Sequence, residues 1–190
     1  MSHSGIETVQ TTTHSGVDLQ RHGEHAEEVV GLFDQMRERV MRYLLGLRLS
    51  EPDAEEIVQE VFLALFRHLE RERTCRNTRA WLFRVAHNLA LKCRESDRRN
   101  RQDLLRFEGG SLESTAASIP DPEEQFLRYQ RGIRLLGVWR ALPEQDQRCL
   151  ALRAEGLTYR EIAEVLNISL GAVAASLERS LARFARADGR

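Results

Sequence analysis

Aromatic residues are scarce, at 6% of 190 positions. No segment alternates apolar and polar residues with the Val, Ile and Thr enrichment of strands, which argues against a sheet. Cysteine is limited to Cys75, Cys93 and Cys149. They are odd in number, far apart and in no Cys-x-x-Cys or Cys/His frame. That excludes a disulfide scaffold and a zinc finger, and suits free thiols in a reducing compartment. No apolar run is long enough for a signal peptide or a membrane span. A nucleophile–base motif, a P-loop and a metal-ligand frame are all missing, so no catalytic residue, metal, cofactor or small-molecule substrate is expected. These absences leave a cytoplasmic protein, without membrane insertion, that acts by binding and not as an enzyme.

Leu, Ala, Arg and Glu dominate what remains, and all four favour helices. Charged residues reach 30% while the net charge is only −1. The charge is unevenly placed. From Arg71 to Arg106 eleven basic residues face four acidic ones, a local net of +7. A basic segment inside a neutral chain points to a polyanion partner.

Residues 1–25 are rich in Ser, Thr, Gly, Gln and His and hold few large apolar groups, so disorder is expected. The histidines there lack a Cys or carboxylate frame for a metal. Helical periodicity starts near His25, with Val29, Val30, Leu32, Phe33, Met36, Val40, Tyr43, Leu44 and Leu47 at three- and four-residue steps. Ser50-Glu-Pro-Asp53 breaks that run. Pro52 fits a first helical turn, and Asp53 with Glu56 has capping-box spacing. A second helix to about Glu70, a basic loop and a third helix from Thr78 to about Arg99 follow. Gly109-Gly110, Pro120 and Pro122 mark a linker. The expected organisation is all-α: a helical domain over 26–102, a flexible linker over 103–126 and a second helical domain over 127–187.

The C-terminal part carries the sharpest motif, Gly156 to Val173. Thr158 and Glu161 form a capping-box pair. Ile162, Ala163 and Leu166 face inward, and Asn167 sits where the chain must turn through the left-handed region. Ser169 caps the next helix, whose buried side is expected to be Val173, Leu177, Leu181 and Phe184. This is a helix-turn-helix, with its second helix placed for a major groove. Its candidate contacts are Ser169, Leu170, Ala172, Ala174, Ala175, Glu178, Arg179 and Arg183, a set poor in the polar groups that usually read bases.

In the second helix, Ile57, Val58, Val61, Phe62, Leu65, Phe66 and Leu69 form a wide core stripe. Glu56, Gln59, Glu60 and Leu63 line another side, an acidic strip around one exposed leucine that suits a basic partner helix. In the third helix Trp81, Leu82, Val85 and Leu89 pack inward, while Arg79, Arg84, His87, Asn88 and Lys92 project elsewhere. Cations can neutralise phosphates, and planar groups can stack on unpaired bases.

Asp53–Phe62 followed by Arg79–Ala90 resembles region 2 of sigma-70 family proteins. Ala141–Arg148 followed by Leu157–Ser169 resembles region 4. The short chain with a bare linker is similar to the extracytoplasmic-function (ECF) group. The resemblance implies a sigma factor that binds core RNA polymerase and directs promoter recognition, −10 melting and transcription initiation. It implies that Asp53, Glu56, Gln59, Glu60 and Leu63 dock on the β′ coiled coil of the polymerase. It assigns Arg73, Arg76, Asn77, Arg79, Trp81, Arg84, His87, Asn88 and Lys92 to −10 promoter DNA, and the helix-turn-helix residues above to −35 DNA. An inhibitory anti-sigma factor is a further implied partner. The family often has Gly-Thr-Val-Lys-Ser-Arg-Leu-His-Arg-Ala where this chain has Gly171-Ala-Val-Ala-Ala-Ser-Leu-Glu-Arg-Ser180. The apolar frame is kept and most polar readers are not. The competing reading is a helix-turn-helix regulator that binds duplex DNA without polymerase; it leaves the acidic strip and the basic helix unused.

Overall fold

The computed structural model describes residues 13–72, 74–103 and 122–188. They form helices α1 (Thr13–Gly46), α2 (Glu51–Glu72), α3 (Thr78–Asp103), α4 (Pro122–Arg140), α5 (Glu144–Ala154), α6 (Tyr159–Leu166) and α7 (Leu170–Asp188). No strand occurs among the described residues. Helix α1 begins inside the stretch expected to be disordered, because extending a nucleated helix costs far less than starting one.

Helices α1, α2 and α3 pack on one another as a bundle. Its centre is built from Val40, Tyr43 and Leu44 of α1, Val58, Val61 and Leu65 of α2, and Leu82, Phe83 and Ala86 of α3. Phe33 meets Phe62 edge-on at 4.9 Å, and Tyr43 meets Phe83 at 5.5 Å. Such contacts add to area burial. Two expected core residues lie further out: Val30 is exposed and Phe66 is half-buried. The cap of α2 lies one turn earlier than expected. Ser50 accepts from the Asp53 amide at 3.3 Å and donates to the Asp53 carboxylate, so Asp53 is inside the first turn and not its cap.

Helices α4 to α7 form a second unit. The buried Gln147 amide donates to Trp139 O at 2.8 Å, which also accepts from the Leu142 amide, and to Leu142 O at 3.0 Å in the turn after α4. Gly156 turns the chain at φ +82°, a conformation open to glycine. Thr158 and Glu161 close the expected capping box on α6, and Asn167 adopts the expected left-handed conformation, φ 52° and ψ 49°. Helix α7 buries Val173, Ser176, Leu177 and Ser180. Leu181, expected inside, is 57% exposed. Eight residues after Val173 the helix has rotated about 80° off the buried line, and Ser180 takes the place instead.

The two units meet, through α3 against α6 and α1 against α5. The buried residues of both belong to one continuous apolar cluster. Replacing Thr158 by Ala removes one half of the capping box and should lower stability by about 1 kcal/mol. A urea unfolding series that finds the variant unchanged would contradict this role, and Thr158→Ser should retain the wild-type midpoint.

Candidate nucleic-acid interface

Helix α2 shows two distinct faces. One supplies seven buried residues, from Ala54 to Leu69. On the other, Glu56, Gln59, Glu60 and Leu63 are all exposed, with Leu63 at 48%. The spacing i, i+3, i+4, i+7 makes them one strip. Asp53, the fifth residue expected there, is half-buried and occupied by Ser50.

Asn77 caps α3, accepting from the Ala80 amide at 3.3 Å. Arg76, Asn77, Arg79, Arg84, Asn88 and Lys92 are exposed. Arg73 lies outside the described residues. Trp81 is half-buried and stacked on His68, ring centroids 5.1 Å apart and 28° from parallel. His87 departs from expectation. It is 4% exposed, with Nδ1 2.8 Å from the Tyr43 hydroxyl, and so belongs to the core. It follows Phe83 by one turn and faces α1, a rotation hidden in the sequence because His suits either face. Burial lowers its pKa to about 4, with Arg148 adding to the shift, and the same burial pushes Tyr43 up.

The cationic end of α3 faces α6. Asn77 Nδ2 donates to Glu161 Oε1 at 2.6 Å, while Glu161 Oε2 accepts from the Thr158 amide at 2.6 Å. Burial pushes the Glu161 carboxyl up, but these bonds outweigh it and hold its pKa below the usual range. A cleft of about 250 Å³ opens here, with Arg76, Trp81 and Arg84 on one side and Glu164 and Val165 on the other. Nearby, Arg39 Nε and Arg42 Nε each donate to Glu155 at 2.9 Å, and the Glu155 side chain is only 8% exposed. Arg94, from the basic tail, pairs with Glu144 at 2.8 Å.

On the helix-turn-helix, Ser169 Oγ accepts from the Ala172 amide at 3.1 Å and starts α7 as expected. Leu170, Ala174 and Glu178 are exposed; Ala172 and Ala175 are half-buried. The two arginines expected to face DNA have protein partners. Arg179 Nη2 lies 2.8 Å from Asp146 Oδ1 and Arg183 donates to Ala141 O at 3.2 Å. Asp146 is almost wholly buried. Burial pushes its pKa up, but bonds from Arg179 and Ser176 hold it down. No spacing rule links Asp146 to Arg179, so this ion pair was not legible in the sequence.

One further cluster joins distant residues. Ligand-type atoms of Asp53, Cys93 and Asp97 lie within 4.8 Å of one another. Burial, followed by the carboxylates of Asp53, Asp97 and Glu56, raises the Cys93 pKa.

Family models for sigma-70 region 2 and sigma-70 region 4 match residues 32–100 and 134–184, one on each helical unit. The chain belongs to the sigma-70 family. The ECF RNA polymerase sigma factor SigE of Mycolicibacterium smegmatis is 29% identical over 151 residues, spanning 78% of this chain and 56% of that protein. The RNA polymerase sigma factor YlaC of Bacillus subtilis is 26% identical over 159 residues, 83% of this chain and 90% of its own. The ECF RNA polymerase sigma-E factor of Escherichia coli is 29% identical over 133 residues, 67% and 70%. The structure of CnrH in complex with the cytosolic domain of CnrY shares the fold, with a TM-score of 0.54 at 21% identity over 90% of this chain and 94% of that one. With these relatives the sigma factor falls in the ECF group, whose members direct RNA polymerase to promoters. No described helix is long and apolar enough to cross a membrane.

Two outcomes follow from this geometry. Glu155→Arg places three cations at one junction and should separate the two units, seen as a larger radius of gyration in solution scattering. Adding Arg39→Glu and Arg42→Glu should restore the compact value; an unchanged radius in the single variant would contradict the clamp. For His87 the native pKa of about 4 lies below the ordinary 6.5. The unfolded chain therefore binds the proton first as pH falls. Stability is full above pH 6.5 and drops between 6.5 and 4, by up to about 3 kcal/mol. Urea unfolding of His87→Gln against wild type over that window should show a difference that depends on pH; a constant difference would contradict it.

Proposed function

We propose that the two units divide the work of promoter engagement. The strip Glu56, Gln59, Glu60 and Leu63 docks on the polymerase β′ coiled coil, with Asp53 contributing at its edge. The observation that carries this reading is the two-faced character of α2: one face core, the other an exposed acidic strip around Leu63. Arg76, Asn77, Arg79, Arg84, Asn88 and Lys92, with Arg73 of the preceding loop, hold the non-template −10 strand, and Trp81 offers a stacking face. His87 contributes by positioning α3 through Tyr43. Helix α7 faces the −35 duplex. Of the linker expected over 103–126, residues 104–121 lie outside the described residues, and Pro122 already opens α4. No covalent chemistry is needed, and the site of action is the cytoplasm.

An anti-sigma protein is the expected inhibitor. A groove of about 640 Å³ between α1 and α4–α5 supports that reading, with Trp139, Leu150 and Ala151 as an apolar floor and Arg39 and Arg42 at the rim. It suits the apolar face of an amphipathic helix, Arg39 and Arg42 being matched already by Glu155. Single-stranded DNA can reach Asn77 and Trp81 fully only when α6 moves off α3, because Glu161 and Glu164 cover that end.

Co-purification with core RNA polymerase tests the docking strip. Glu60→Lys should abolish capture while leaving the helical signal intact. Failure of the wild-type protein to bind core, with tight duplex binding, would instead favour a polymerase-independent regulator. In reconstituted transcription, Arg84→Ala with Lys92→Ala should lower open-complex formation about ten-fold and flatten its salt dependence by roughly 0.7 log units per lost phosphate contact. An unaltered salt slope would count against a phosphate role.

A further inference from the structure

The recognition helix is short of free cations on the face it presents. Helix α7 packs through Val173, Ser176, Leu177 and Ser180 against α4, α5 and α6. Flanking that buried line, its first turns carry Leu170, Ala174 and Glu178, at i, i+4 and i+8 and all exposed, Leu170 at 52%. The first turn holds no acidic residue, and Ser169 occupies the cap. The arginines that follow are engaged elsewhere. Arg179 holds the Asp146 carboxylate through Nη2 at 2.8 Å and Nε at 3.3 Å, and accepting that role leaves no free fork for guanine. Pulling it away would strand a buried carboxylate without its partner. Arg183 and Arg186 donate to the carbonyls of Ala141 and Ala182.

Each base pair offers the major groove a distinct set of groups. A guanine edge shows two acceptors and needs a donor. None of Leu170, Ala174 and Glu178 carries a side-chain donor, and the Glu178 carboxylate repels those acceptors. A thymine shows a C5 methyl, which an apolar side chain can cover. A cytosine shows an N4 amino donor, which a carboxylate can accept.

We propose that α7 reads its upstream duplex by apolar contact and one carboxylate: Leu170 and Ala174 cover thymine methyl groups, and Glu178 accepts from a cytosine N4 amino group. This rests on the reading of α7 as the helix that faces the −35 duplex. The upstream element of this sigma factor is then discriminated without a guanidinium–guanine fork. Phosphate contacts from elsewhere supply affinity, and these three side chains supply the choice of base.

The test uses the full chain with core RNA polymerase and a duplex promoter library randomised over both elements. The expected enrichment upstream is thymine, with a cytosine in register. In the enriched duplex, each contacted thymine replaced by deoxyuridine loses one methyl and should weaken holoenzyme binding about four-fold, as for one buried methyl-sized group. Leu170→Ala, too short to reach the methyl that Leu170 covers, should bind thymine and deoxyuridine equally at that position and keep the preference at the position of Ala174; being exposed, it should fold normally. Glu178→Gln should move the cytosine preference toward adenine, which a carboxamide pairs with. Deoxyuridine without effect, together with loss of binding when upstream guanines become 7-deazaguanine, would overturn the proposal while keeping α7 on DNA. Transcription that depends on the −10 element with no upstream enrichment at all would overturn the placement of α7 itself. So would Leu170→Ala that weakens holoenzyme assembly and leaves selection unaltered, since the face would then bind protein.

Discussion

Glu155 sits at the end of α5 with its carboxylate buried and two arginines from α1 closing on it. A carboxylate in that position is tolerated only when its charge is met, so Arg39 and Arg42 fix where α5 stands on α1. Leu157, buried two residues later, then enters the shared apolar cluster, and α6 is laid along α3. The relation between the two halves of this sigma factor follows from that one neutralised charge and the apolar surface around it.

The same economy recurs at Glu161. Its carboxylate caps α6 through Thr158 and holds Asn77, which in turn caps α3. Local helix signals on two units thus share one side chain. Groups suited to unpaired DNA stand beside the first helix of the helix-turn-helix, while the outer face of α7 stays open. The arrangement therefore sets α6 against the Asn77 end of α3 and leaves the outer face of α7 open.

Local features were legible because they depend on neighbours in sequence. The capping box at Thr158, the left-handed turn at Asn167 and the core stripe of α2 are set by spacings of three and four residues. The exposed strip around Leu63 followed from the same periodicity. The errors fall where a side chain suits two environments. His87 has a polar ring that serves a core hydrogen bond to Tyr43 as readily as a phosphate. Ser50 and Asp53 are both good caps, and only the backbone decides which one acts. Leu181 is apolar yet falls off the buried line of a straight helix.

The sequence by itself determined an all-helical fold, the capping box and left-handed turn of α6, and membership of the sigma-70 family, because periodicity, capping and motif order are properties of short segments. Tertiary structure decided the rest. It buried His87, gave Arg179 to Asp146, brought Asp53, Cys93 and Asp97 together and set Glu155 between Arg39 and Arg42. Each of these depends on residues separated by tens of positions, where packing and the cost of an unpaired buried charge choose the partner and no local rule can.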